Sequence, residues 1–227
     1  MLPSPDAPVV GEALRERFGL PLWQMTLSAT DANRFAIRFA REITERPRIL
    51  IFNWCYHGSV DETFAILREG RVVSRPGNVG PPVELERTTR VVEFNDPAAL
   101  EEALRHEDVA CVLAEPAMTN IGIVLPEPGF HETLRALTRR YDTVLIIDET
   151  HTISSGYGGF TREYGIEPDI LTVGKTIGGG VPAGAFGLTH EMAERAFRRR
   201  TLTTWTSAAS VGPSPATLSR WRQCARP

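Results

Sequence analysis

The chain has 227 residues and a formal net charge of −3, with 42% hydrophobic and 23% charged residues. It is long enough for a full core and carries no basic excess for nucleic acid or an anionic membrane. No apolar run reaches the length of a bilayer span, the opening Met1-Leu2-Pro3-Ser4-Pro5-Asp6 does not read as a signal peptide, and three cysteines (Cys55, Cys111, Cys224) without metal spacing fit a reduced, cytoplasmic protein with no metal.

In chain order, the first clear element is a helix over 31–44, where Ala32, Phe35, Ala36, Phe39, Ala40 and Ile43 form an apolar stripe. A strand follows at 49–52. Residues 70–87, rich in Pro and Gly, read as a surface loop. A strand at 91–94 leads to Asp96, an N-cap with Pro97 at the first helical position, and a helix over 97–105. Then come a strand at 109–114, a helix over 129–141, and strands at 143–148, 170–173 and 183–188. A helix over 191–200 closes the series. Several strands are continuous apolar runs, as expected when both faces are buried. The fold class is therefore α/β, a mainly parallel sheet flanked by helices. At this length the chain could be one large domain or two small ones, and residues 205–227 show no clear periodicity.

Such sheets bind ligands at the carboxyl ends of their strands. Glu115 follows strand 109–114, Asp148 ends 143–148, and Lys175 follows 170–173. Lys175 is the only lysine, every other basic residue being arginine. GC-rich coding alone can favour arginine, but arginine cannot form an imine with a carbonyl cofactor, and lysine can. Asp148, behind four apolar residues, must be paired or protonated. It could cap the following segment, or it could face a protonated heteroaromatic nitrogen. Pyridoxal phosphate supplies that nitrogen, and its chemistry needs a lysine imine and a facing carboxylate. Lys175 would then anchor the cofactor and later move the substrate proton. A P-loop reading of Gly174-Lys175-Thr176 fails, because Asp169 stands where its first glycine belongs. No Gly-x-Ser-x-Gly occurs.

Asp148-Glu149-Thr150-His151-Thr152, Gly174-Lys175-Thr176-Ile177-Gly178-Gly179-Gly180 and Cys55-Tyr56-His57-Gly58 together resemble the class III aminotransferases, especially their glutamate-1-semialdehyde aminomutase branch. The resemblance runs from about Leu20 to Arg200. It implies the large domain of a fold-type-I pyridoxal-phosphate enzyme, with an amino acid or amine and a keto compound as substrates, and amino-group transfer or mutase chemistry as the reaction. It implies that Ser28, Ala29 and Thr30 grip the cofactor phosphate, with Ala29 where relatives carry glycine. Read without the family, Ser28 or Thr30 is a helix N-cap, and both roles are compatible. By the same resemblance Tyr56 stacks on the pyridine ring, His151 lies near the ring hydroxyl, and Glu115 and Asn120 line the site. Without it, Tyr56 is a half-buried strand-end residue. His106, His131 and His190 are expected on solvated helix surfaces.

Relatives carry a long segment before the phosphate turn, and a Gly-Thr-x-x-Gly-Asn segment and a small domain after the position of Arg200. Neither end is recognisable here. Back-translated and read one base out of register, residues 210–224 can yield that missing motif, so a frameshift near 203–206 and an aberrant tail over 201–227 are expected. The full-length family implies a homodimer. This chain, as a fragment, is expected to be an unstable dimer and a poor catalyst. The alternative reading is a cofactor-binding remnant without turnover.

Overall fold

The computed structural model describes residues 4–200. The expected tail, Cys224 and the frameshift reading lie outside them. The elements are α1 (Ala7–Phe18), β1 (Leu22–Thr26), α2 (Ala29–Thr44), β2 (Arg48–Phe52), β3 (Ala65–Arg68), β4 (Arg71–Ser74) and β5 (Thr89–Val92). There follow α3 (Pro97–Leu104), β6 (Val109–Ala114), α4 (Phe130–Arg140), β7 (Val144–Asp148), α5 (Gly159–Glu163), β8 (Ile170–Val173), β9 (Gly184–Leu188) and α6 (His190–Arg200).

Seven strands form one sheet in the order β1-β9-β8-β7-β6-β2-β5. The pairs from β8 through β7, β6 and β2 to β5 are parallel, and β9 pairs antiparallel with both β8 and β1. The reversal at β9 has a local cause. Only residues 174–183 separate β8 from β9, and a parallel return needs a crossover of a dozen residues or more. Every residue of β6, β7, β8 and β9 is buried, as the continuous apolar runs require. At roughly 1.5–3 kcal/mol for each large apolar side chain withdrawn from water, Leu113, Leu145 and Ile146 are among those that hold the sheet between its helices.

Several elements depart from the reading of the sequence. The edge strand β1 and helix α1 carry no clean periodicity and were not expected. Trp23 of β1 finds its place because Gly187 opposite has no side chain, and a Cβ there would lie 2.8 Å from the indole ring. Residues 70–87 are not all loop: β4 pairs with β3 around the two-residue turn Glu69-Gly70, both at positive φ. Such turns favour Asn or Asp at the first position, so glutamate hid the hairpin. Finally, the strand expected at 91–94 is β5, two residues earlier. Phe94 has left the sheet to pack edge-on against Phe52 and Phe130, at centroid distances of 5.1 and 4.8 Å.

The two rims of the sheet are built differently. At the amino ends of the parallel strands, one Arg46 nitrogen reaches the carbonyls of Val109, Tyr141 and Asp142. Nearby, Asp108 accepts from Arg48 at 2.6 Å and from Arg90 at 2.8 Å. Asp169 takes Arg135 at 2.9 Å and the Leu145 amide at 2.8 Å. A cavity of about 440 Å³ opens on this rim, lined by Arg135, Asp142, Glu167, Asp169 and Arg195 among others. Its arginines are already paired, Arg195 with Asp142 and Arg135 with Asp169.

Candidate active site

The opposite rim collects the chemistry. Because β2, β6, β7 and β8 run parallel, the residues after Phe52, Ala114, Asp148 and Val173 all emerge on one side of the sheet. The β1 strand runs the same way as β8, so the turn after Thr26 that opens α2 arrives there too.

Asp148 is the centre, at 3% exposure. Its Oδ2 accepts from the Asn33 amide at 2.8 Å and faces His57 Nδ1 at 2.9 Å, and Oδ1 accepts from the Thr150 amide at 3.0 Å. An ionised carboxylate can only accept, so His57 donates through Nδ1. Burial alone would push the Asp148 carboxyl up, but His57, Thr150 and Asn33 together bring it down to about 2. For His57, at 1% exposure, burial opposes the charge, while Cys55 and Asp148 outweigh it and hold the imidazole well above its ordinary value. The result is a buried, charge-neutral pair. The sequence leaves a ligand nitrogen or a capping role open for Asp148; the protein itself supplies three donors, from Asn33, His57 and Thr150. The Thr150 contact also makes Asp148 a cap of the following segment.

Asn33 is wholly buried. Besides Asp148, its amide nitrogen reaches the His57 carbonyl at 3.2 Å, and its Oδ1 accepts from Thr172 Oγ1 at 2.7 Å. One side chain thus ties α2, β7, β8 and the loop after β2 together.

Ser28 is the N-cap of α2: its Oγ accepts from the Asp31 amide at 3.1 Å and donates to the Asp31 carboxylate at 3.0 Å. Ala29 and Thr30 are the first residues of the helix, whose leading N–H groups have no intrahelical partner and suit an anion. Thr30 Oγ1 accepts from the Ser59 amide at 3.2 Å. The turn is clasped from two sides. Gly58 lies at φ +76°, and a Cβ on it would sit 2.1 Å from Thr30 Oγ1; a Cβ on Gly174 would sit 2.6 Å from the Ala29 Cβ.

Lys175 stands just past β8 at φ +50°, a left-handed conformation rare for a residue with a side chain. The residue is exposed, and its Nζ has no hydrogen-bond or ion-pair partner among the described residues. Partial burial lowers its pKa, against the opposing pull of Asp148 and Glu115. Glu115 is 5% exposed; its Oε2 accepts from Thr119, and its buried Oε1 has no partner. Asn120 is exposed and donates to the Trp54 carbonyl at 3.0 Å. Tyr56, 43% exposed, and His151, also exposed, share this rim, but neither hydrogen-bonds to Asp148 or Lys175.

Three members of the site escaped sequence reasoning. Thr172 looks like an ordinary polar residue in a strand, and Asn33, at the end of the Ser28–Asn33 turn segment, and His57, within Cys55–Gly58, belong to family-like motifs without a role of their own. The signal for Asn33 was position: it sits beside Ala32 and Ala36 on the apolar stripe. His131 corrects an expectation. It is half-buried, with its ring against Phe130 and Phe160 and its Nε2 enclosed without a partner, and burial lowers its pKa. His106 and His190 are exposed, as expected.

The family model for class-III aminotransferases matches residues 10–210. The chain belongs to that family. Among curated relatives, the glutamate-1-semialdehyde 2,1-aminomutase of Sulfurihydrogenibium azorense is 44% identical over 171 residues, which cover 74% of this chain and 40% of that protein. Among solved structures, a glutamate-1-semialdehyde aminomutase from Pseudomonas aeruginosa superposes with a TM-score of 0.88 at 49% identity, over 96% of this chain and 48% of that one. A variant of the Pseudomonas enzyme, solved in complex with PMP, matches at 48% identity with a TM-score of 0.88 over 96% of this chain and 48% of its own. The chain therefore spans less than half the length of these relatives. The fold is the mainly parallel, helix-flanked sheet of the fold-type-I aminotransferases.

Proposed function

We propose that this chain provides the cofactor-binding large domain, residues 1–200, of a pyridoxal-phosphate-dependent enzyme. Its reaction is amino-group transfer, as an aminotransferase or as a glutamate-1-semialdehyde-type aminomutase, between an amino acid or amine and a keto compound. The observation that carries this reading is the sole lysine, unpartnered at the strand-end rim and lying in the field of two buried carboxylates, Asp148 and Glu115.

The residues present fit the cofactor. The leading amides of α2, clasped by Gly58 and Gly174, suit a phosphate. The enclosed, unpaired Oε1 of Glu115 and the ionised Asp148 suit a polar, nitrogen-bearing ring. When bound, pyridoxal phosphate supplies a carbonyl for the lysine and a ring that takes up the electron pair of a breaking substrate bond. Ser28, Ala29 and Thr30 hold the phosphate. Asp148, kept ionised by His57, stabilises positive charge on the ring nitrogen. Tyr56 would cover a ring face, while Glu115, Asn120 and His151 would line the rest. Lys175 would anchor the cofactor, and its Nζ would hold or move the substrate proton. Its lowered pKa favours the free amine that both tasks require.

The relatives lend no specific support to a remnant without turnover. No helix among the described residues is long and apolar enough to cross a membrane, and Cys55 and Cys111 are free thiols. A cytoplasmic homodimer is the assembly this reading favours, and light scattering measures it. The central test is chemical. Incubation with pyridoxal phosphate, borohydride reduction and peptide mass mapping should place the label on Lys175. Label confined to the N-terminal amine would overturn the assignment.

A further inference from the structure

We propose that Asn33 is a positioning residue for Asp148, fixing the carboxylate toward the ring nitrogen of the cofactor before the cofactor arrives. This rests on the reading of the site given above. The argument begins with the amide's orientation. Its nitrogen faces two acceptors, Asp148 Oδ2 at 2.8 Å and the His57 carbonyl at 3.2 Å, while its oxygen takes the Thr172 hydroxyl at 2.7 Å. A flipped amide would set its oxygen against both acceptors and lose those two bonds, and only the Thr172 hydroxyl, which can also accept, could follow it, so the two fixed acceptors select one orientation. All four residues are buried, where such bonds are strong and an unmade one is costly.

The geometry also explains why an asparagine is needed at this position. Leucine would keep the volume and lose the donor. Aspartate would put two carboxylates about a hydrogen bond apart, and one of them would have to take up a proton. Asn33 is on the first turns of α2, five residues after the N-cap Ser28, and Thr172 is on β8 three residues before Lys175. The side chain therefore references Asp148 to both the phosphate turn and the lysine strand. Asn33 touches neither cofactor nor substrate in this scheme; it acts through Asp148.

The test compares pyridoxal phosphate with its analogue in which the ring nitrogen is replaced by C–H, measuring both dissociation constants by tryptophan fluorescence quenching. Inorganic phosphate serves as a third probe. The unaltered 227-residue chain should bind the nitrogen-bearing compound more tightly. In Asn33→Ser, too short to reach Asp148, that ratio should fall by roughly tenfold while phosphate affinity holds. Thr172→Val, which keeps its shape but frees the amide to turn, should lower the ratio in the same direction and by less. A variant that merely loosened the fold would weaken all three probes together. The wild-type ratio retained in both variants, or an equal loss for every probe, would overturn this role for Asn33. Equal binding of the two ring compounds by the unaltered chain would instead overturn the placement of Asp148 at the ring nitrogen.

Discussion

His57 Nδ1 lies 2.9 Å from Asp148 Oδ2 with both side chains buried, so the imidazole and the carboxylate hold one another's charge in place. The pair sets opposite pH limits on stability. His57 titrates well above its ordinary 6.5 in the folded chain, so its contribution is complete below 6.5 and is lost as pH rises through the folded value. Asp148 titrates at about 2 instead of 3.8, so its contribution is present above 3.8 and is lost as pH falls toward 2. Urea midpoints measured across pH should decline on the alkaline side for the unaltered chain. His57→Gln should flatten that decline, and an unchanged alkaline limb would remove His57 from the pair.

Asp148→Asn keeps the shape but removes the charge that stabilises the imidazolium. His57 should then lose its proton at a markedly lower pH, visible in the side-chain ¹⁵N shifts of labelled histidine without any cofactor. In the whole enzyme the substitution should cost ~3–4 kcal/mol of transition-state stabilisation, the scale of a lost preorganised electrostatic contact. Unchanged kcat would assign Asp148 a structural role only.

Gly58→Ala should destabilise the chain by about 2–4 kcal/mol, combining the penalty of positive φ with a side chain forced onto Thr30 Oγ1. Thr30→Gly in the same chain should recover part of the loss. Denaturant midpoints with unchanged slopes measure both, and a neutral Gly58→Ala would show that the turn is free to move away.

Lys175→Gly should stabilise the fold by about 1 kcal/mol, because glycine accepts φ +50° without steric cost and no buried partner is lost. The same change should abolish covalent capture of pyridoxal phosphate. Residues held in unfavourable conformations gather at functional sites, where the surrounding structure keeps them there. A destabilised variant would mean that the lysine stem packs in a way that compensates for its backbone.

Much of the fold was legible because β6, β7 and β8 are apolar on both faces, and their ends therefore announced Glu115, Asp148 and Lys175. The edge strand β1 was not, since Leu22 is its one buried residue and the neighbouring Trp23 depends on a glycine in β9. The hairpin of β3 and β4 was obscured by the glutamate in its turn. Within the site, residues that present charge at a strand end could be read. The buried intermediaries could not: Asn33 and Thr172 matter through partners more than a hundred positions apart in the chain, and periodicity sees only neighbours. His131 shows the same blindness in reverse, because its helix face is covered by Phe160 from a distant segment.

The arginine clasps at the amino ends of the strands carry an implication for how such a protein can change. Arg46, the Asp108 cluster and the Asp169 contacts sew one margin of the sheet, and Glu115, Asp148 and Lys175 occupy the other, a strand's length away. Free-energy effects of well-separated positions are close to additive. Lineages living in heat or brine can therefore retune the arginine margin, substitution by substitution, without disturbing the acidity of Asp148 or Lys175.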